Sequence, residues 1–189
     1  MRIPRNPFTR RRDRTPLEEI LSEIDRAIRK RNYYSALIVA LTVPEICTSL
    51  TLERASFVKE VHYITWIEKY LSLGQPGIGM SAKDCWQLRG GVVHRADFSG
   101  HPYSQFTRVI LGVRRGNAVH ATHIRRGDEL VAYVCLHEFC KEMTKGALRW
   151  LESHRNDEIV LNNMQRLVRY RPEGTKSFLG FHKIKPAIF

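Results

Sequence analysis

Arg89 and His94 are the two residues of this chain whose types and spacing most clearly predict chemistry. A guanidinium is always charged and forks onto phosphate oxygens, while an imidazole exchanges protons near neutral pH. Such a pair can cleave RNA without a metal, because the histidine serves as base for a ribose 2′-hydroxyl or as acid for the departing 5′-oxygen. The arginine neutralises charge that grows on the phosphate. The expected products carry a 2′,3′-cyclic phosphate and a 5′-hydroxyl.

A helix that begins after Ser81, with Asp84 three residues further on, is predicted to carry this pair. Five residues turn an α-helix through about 500°, so the two side chains would point about 140° apart. Convergence of His94 with Arg89 is therefore expected to require that the helix loosens at Gly90 and Gly91, which tolerate non-helical conformations. The alternative interpretation is structural, with Arg89 in a surface ion pair and His94 capping the helix end.

The Arg89-x4-His94 motif, on a helix that follows two long amphipathic ones, resembles the RxxxxH motif of the HEPN superfamily of helical domains. The resemblance extends over roughly residues 17–151. It implies a helical bundle with Arg89 and His94 as catalytic residues, because many members are metal-independent ribonucleases of toxin, phage-defence and CRISPR systems. It also implies a homodimer, in which two copies of the motif complete one site. Active members often have Asn, Asp or His after the arginine, where this chain has Gly90.

The composition indicates one basic globular domain with a polyanionic partner. The chain has 189 residues, a formal net charge of +12 and a hydrophobic fraction of 43%, which favours nucleic acid first and an anionic membrane surface second. The four cysteines show no CxxC spacing and predict free thiols in a reducing compartment. The sequence opens without a signal peptide, so we expect a cytoplasmic protein without a membrane span.

No metal or other cofactor is expected. His120 and His123 would lie on opposite faces of a strand, and His137 and Cys140 lack a convincing second pair of ligands.

Three segments are predicted: a flexible basic arm over residues 1–15, a helical domain over 16–168, and a basic tail over 169–189. The arm contains Arg10, Arg11 and Arg12, which can contact phosphates non-specifically. A solvated terminus explains the same composition.

Six helices are predicted from apolar periodicity and capping residues. The first begins at Thr15 and ends near Arg31, and the second runs from Asn32 to Val43 at the centre of the bundle, where Pro44 ends or kinks it. The third is capped by Thr51 and extends to about Leu71. The fourth carries the motif, and the last two cover Leu136 to Leu151 and Asp157 to Val168.

A β-hairpin is predicted within residues 104–128, with strands over 106–113 and 118–124 joined by a turn at 114–117. Residues 129–135 are either a third strand or the start of the next helix. The fold class is therefore mainly α, an up-and-down HEPN-like bundle with a small β insert. Arginines of the motif helix end and the insert are the predicted RNA contacts: Arg95, Arg108, Arg114, Arg115, Arg125 and Arg126. Edge charges that prevent aggregation are the alternative for the hairpin arginines.

Three functions fit these features. The first is a metal-independent endoribonuclease that cleaves RNA. It would act as part of a toxin or defence system, with an antitoxin or defence protein as its partner. The second is a catalytically inactive module of the same fold that binds RNA or protein. The third is an adaptor or antitoxin-like interaction protein whose apolar helical face and basic arm dock onto a partner.

Overall fold

The computed structural model describes residues 14–53, 56–73, 77–97, 104–113 and 120–168. Within these residues, four helices precede a three-stranded sheet and two follow it, so the prediction of a mainly helical fold with a small β insert is confirmed. Apart from Arg14 and Thr15, the predicted arm and tail lie outside the described residues. The elements are α1 (Pro16–Arg29), α2 (Tyr33–Thr51), α3 (Glu60–Tyr70), α4 (Ala82–Arg95), β1 (Arg108–Gly112), β2 (Thr122–Arg126), β3 (Glu129–Cys135), α5 (Leu136–Ser153) and α6 (Glu158–Met164).

The predicted start of the first helix at Thr15 is confirmed, and it takes the form of a capping box. The Thr15 hydroxyl accepts from the Glu18 backbone N–H at 3.2 Å, and the Glu18 carboxylate accepts from the Thr15 backbone N–H at 2.9 Å. Two donors that a helix start leaves without partners are thereby satisfied. Leu17, Leu21 and Ile24 then face the core.

Helix α2 continues through Pro44 to Thr51, so the prediction of a helix over Asn32 to Val43 is wrong at its end. A proline removes one backbone donor and usually ends a helix, but here the turns beyond it bury Cys47 and Leu50 completely or almost completely. The Asn163 amide donates to the carbonyls of Leu50 and Leu52 at 2.9 and 3.0 Å. Core packing and this cap from α6 stabilise the extension.

Helix α2 is the central element of the bundle, as predicted, because it contacts α1, α3, α4, α5 and α6. Within the described residues it is also the one helix long and apolar enough to cross a membrane, with a mean hydropathy of 1.4 over its apolar window. Half of that window is buried inside the protein. The same composition is typical of a core helix.

Helix α3 begins at Glu60 rather than near Thr51, because Thr51 is the last residue of α2. The early residues of the predicted helix do not face the core: Phe57 is 86% exposed and Val61 is 58% exposed. Further along the helix, Trp66 and Tyr70 are buried in the core.

The sheet has the strand order β1-β3-β2, which corrects the predicted hairpin between the first two strands. Strand β3 pairs in parallel with β1 and antiparallel with β2. The hairpin is therefore β2–β3, joined at Gly127 with φ 59, a conformation that suits glycine in a tight turn. The more apolar β3 takes the centre, and the arginine-bearing strands take the edges.

Helix α5 begins where predicted and buries Phe139, Met143, Ala147 and Trp150 against the bundle. Helix α6 is shorter than the predicted helix over Asp157 to Val168, since it ends at Met164. Asp157 caps it by accepting from two backbone N–H groups.

Candidate active site

Helix α4 presents both residues of the motif near its C-terminal end. Ser81 caps its start, where the hydroxyl accepts from the Asp84 backbone N–H at 3.1 Å. The helix remains regular through Gly90 and Gly91, so the expectation that it loosens there is wrong. It ends where Ala96 adopts a left-handed conformation with φ 54.

The two side chains nevertheless meet, because Arg89 Nη1 lies 3.1 Å from His94 Nε2. Helical side chains lean towards the N-terminus, which tilts the His94 side chain back along the helix towards Arg89. The long Arg89 side chain spans the remaining angle to the imidazole. The motif converges without any break in the helix.

The direction of this hydrogen bond indicates which tautomer of the His94 imidazole it requires. A guanidinium has only donors, so a hydrogen bond between these two atoms has His94 Nε2 as its acceptor and requires the Nδ1–H tautomer of the ring. His94 is exposed, near the C-terminal end of the helix. The nitrogen that could accept a substrate proton is therefore the one that faces Arg89.

Glu45 is a third member of the site, and the sequence reasoning did not identify it. Its carboxylate forms an ion pair with Arg89 Nη2, and the two side chains are 30% and 15% exposed, respectively. Arg89 therefore forms an ion pair, as the structural interpretation predicted, but the pair is partly buried rather than at the surface, and Arg89 also contacts His94. One sequence signal was available: Glu45 is the sole charged residue of α2.

Aromatic residues form the floor beneath Arg89. The guanidinium carbon lies 5.3 Å from the centre of the Trp86 ring, within cation–π range. The Tyr63 ring lies 5.2 Å from that of Trp86, and its hydroxyl donates to the Leu41 carbonyl at 2.9 Å. Burial raises the pKa of Tyr63, with a smaller opposing effect from the Arg89 charge. Tyr63 is thus a packing residue and not a proton carrier at neutral pH.

The sheet is attached to the opposite end of α4 from the motif. The buried Asp84 carboxylate accepts from Ser104 Oγ at 2.7 Å and from the Gln105 backbone N–H at 3.2 Å. Asp84 and His94 are ten residues apart, or about 15 Å along the helix axis at 1.5 Å per residue. Asp84 therefore fixes the β insert relative to the helix without entering the site.

Two histidines link the sheet to the loop that precedes α4. His123 lies in β2, and His120 lies two residues before that strand begins. His120 Nε2 lies 2.5 Å from the Gly77 carbonyl, and His123 Nε2 lies 2.7 Å from the Gly79 carbonyl. Across the described ranges, no cluster of three His, Cys, Asp or Glu side chains could hold a metal ion. The two histidines act as structural donors.

The predicted RNA contacts are dispersed over the molecule. Arg95 is exposed beside the motif, and Arg108, Arg125 and Arg126 are exposed on the edge strands. The strand register places Arg108 and Arg126 on one face of the sheet and Arg125 on the other. No contact in the described ranges joins these sheet arginines to the motif. Arg10, Arg11, Arg12, Arg114 and Arg115 lie outside the described residues.

No protein-family model matches this chain, and no curated protein or solved structure is significantly similar to it. The resemblance to the HEPN superfamily therefore depends on the Arg89–His94 motif and its helical setting.

Proposed function

We propose that this protein is a metal-independent endoribonuclease of HEPN type, with Arg89 and His94 as its catalytic residues. The observation that carries the proposal is the 3.1 Å contact between Arg89 Nη1 and His94 Nε2. It supports a joint role for two residues whose helical spacing alone would separate them. A cytoplasmic location and a role in a toxin or defence system are parts of the same proposal.

In the proposed reaction, an RNA phosphate draws the Arg89 N–H away from His94. The freed Nε2 lone pair accepts the proton of the ribose 2′-hydroxyl, and the 2′-oxygen forms a bond to phosphorus as the bond to the 5′-oxygen breaks. Arg89 stabilises the charge on the non-bridging oxygens. The 5′-oxygen takes a proton from a protonated histidine, which leaves a 2′,3′-cyclic phosphate and a 5′-hydroxyl.

A homodimer would provide the second histidine. One His94 acts as base in this scheme and another must act as acid, so a two-fold axis near the C-terminal end of α4 would complete the site without further residues. We expect light scattering at micromolar concentration to give a dimer. A monomer that cleaves RNA would require another residue as the acid.

The experiment is an RNA cleavage assay in excess EDTA with wild type, His94→Ala and Arg89→Ala. Loss of His94 is expected to slow cleavage by about 10²–10⁴-fold, and loss of Arg89 by about 10²–10³-fold. His62→Ala serves as a control, because it removes a histidine from α3 instead of the motif helix. The His62 ring accepts from the Lys59 backbone N–H and has no part in the proposed reaction. Cleavage that survives both motif substitutions would locate the active site elsewhere.

Two observations favour a second candidate, a catalytically inactive module that binds RNA or protein. Glu45 already neutralises Arg89, and Gly90 supplies no polar side chain beside it. A dimer that binds RNA but cuts none of a broad RNA panel would favour this candidate.

A further inference from the structure

Glu45 occupies an unusual place for a carboxylate. It lies directly after Pro44 within a helix that is otherwise uncharged, and it pairs with an arginine 44 residues later in the chain. The Arg89 side chain is only 15% exposed. A single, specific partner therefore compensates a largely buried positive charge at the motif.

Glu45 uses only part of the hydrogen-bonding capacity of the Arg89 guanidinium. A guanidinium carries five N–H donors. One on Nη2 serves Glu45 and one on Nη1 serves His94. The Nε donor is buried and has no hydrogen-bond partner in the described part of the chain. Among the described residues, one hydrogen on each terminal nitrogen has no partner, and such a pair matches two oxygens of a phosphate group.

Three contacts together define the orientation of the guanidinium: Glu45 at Nη2, His94 at Nη1, and the Trp86 ring 5.3 Å from its central carbon. Without the carboxylate, the long arginine side chain would regain rotamers that point away from His94. The Arg89–His94 contact therefore depends on Glu45.

We propose that Glu45 is a positioning residue that orients Arg89 both to hold His94 in its Nδ1–H tautomer and to offer two donors to an RNA phosphate. This inference rests on the proposed ribonuclease function for its effect on cleavage, but its effect on His94 is independent of catalysis. Glu45 touches neither the substrate nor the reacting atoms and acts through Arg89.

Glu45→Gln tests the proposal, because it preserves shape and removes the charge that strengthens the hydrogen bond. We expect kcat to fall by roughly 10²-fold, as for a misplaced catalytic group, while KM stays within about twofold. Glu68→Gln makes the same charge change at an exposed position of α3 and should leave both values unaltered. Circular dichroism establishes that each variant is folded.

A double-variant comparison asks whether Glu45 acts through Arg89. In the Arg89→Ala background, Glu45→Gln is expected to leave the residual rate unchanged, since the group that it orients is gone. An equal slowing in both backgrounds would overturn the proposal.

A nuclear magnetic resonance experiment provides the readout that does not need cleavage. Two-bond ¹H–¹⁵N correlations of the His94 ring should report the Nδ1–H tautomer in wild type and a mixture of tautomers in Glu45→Gln. If wild type cuts no RNA but the tautomer shifts, the ribonuclease function fails and the positioning role of Glu45 stands. An unchanged His94 spectrum in Glu45→Gln would overturn the positioning role, whatever the cleavage result.

Discussion

Alanine substitutions at the two adjacent glycines of α4 are expected to change stability in opposite directions. A Cβ added at Gly90 meets no atom within 4 Å beyond its chain neighbours and the helix backbone nearby. A Cβ added at Gly91 lies 2.8 Å from the Asp97 carbonyl oxygen. That oxygen belongs to the backbone just after the helix, where the Asp97 N–H donates to the Gly91 carbonyl at 3.2 Å. It cannot rotate away as a side chain would.

The magnitudes follow from helix propensity and steric overlap. Gly90→Ala should stabilise the protein by about 0.5–1 kcal/mol, because glycine in a helix interior is less favourable than alanine by that amount. Gly91→Ala gains the same propensity term but incurs an overpacking cost of about 1–3 kcal/mol. We expect a net loss of roughly 1 kcal/mol for Gly91→Ala.

Thermal unfolding followed by circular dichroism can measure both variants. One kcal/mol corresponds to about 2–4 °C in Tm for a domain of 150–250 residues, so Gly90→Ala should melt above wild type and Gly91→Ala below it. Each glycine is the matched control for the other. A rise in Tm for Gly91→Ala would refute the close approach of the Asp97 carbonyl to the helix.

Three further predictions concern the helix end, the thiols and the sheet. Ala96→Gly should raise stability by about 1 kcal/mol in urea unfolding, because φ 54 strains alanine but not glycine; Ala27→Gly inside α1 should lower it, and a loss at both positions would contradict the helix-end geometry. Burial raises the pKa of Cys47 and Cys85, and raises that of Cys140 to about 12. Unfolded thiols ionise near pH 8.5, so the stability contributed by these three is complete below that pH. It should then fall by up to about 1.4 kcal/mol per pH unit and per thiol as the pH rises towards the folded values; unfolding free energies that match at pH 8 and pH 10 would refute this. Arg108→Ala and Arg126→Ala should each weaken RNA binding uniformly across sequences and reduce its salt slope by about one, whereas unchanged affinity at all salt concentrations would leave these arginines a solvation role.

The sequence correctly predicted those elements whose capping residues and apolar periodicity lie within a few residues of one another. The capping box at Thr15 and Glu18 and the cap at Ser81 need only neighbours in the chain, and the structure confirms both. Apolar periodicity likewise indicated the buried face of α5. These features depend on helix geometry alone.

Features that depend on distant residues could not be predicted in this way. The continuation of α2 beyond Pro44 needs core packing and the Asn163 cap, which lies more than a hundred residues away. The pairing of β1 with β3 is a choice of partner strand, which the alternation of residues within each strand does not define. Glu45 became part of the candidate site only because α2 continues past the proline and packs against α4. The long side chain of Arg89, and not a break in the helix, overcomes the angular separation of the motif.

Cleavage of a DNA oligonucleotide that contains a single ribonucleotide tests the proposed chemistry most directly. In excess EDTA, we expect one cut, on the 3′ side of the ribonucleotide, with a 2′,3′-cyclic phosphate on one product and a 5′-hydroxyl on the other. An all-deoxy strand should stay intact, and His94→Ala should cut neither. Cleavage of the all-deoxy strand, or products with a 3′-hydroxyl and a 5′-phosphate, would contradict attack by the 2′-hydroxyl and with it the roles proposed for Arg89 and His94.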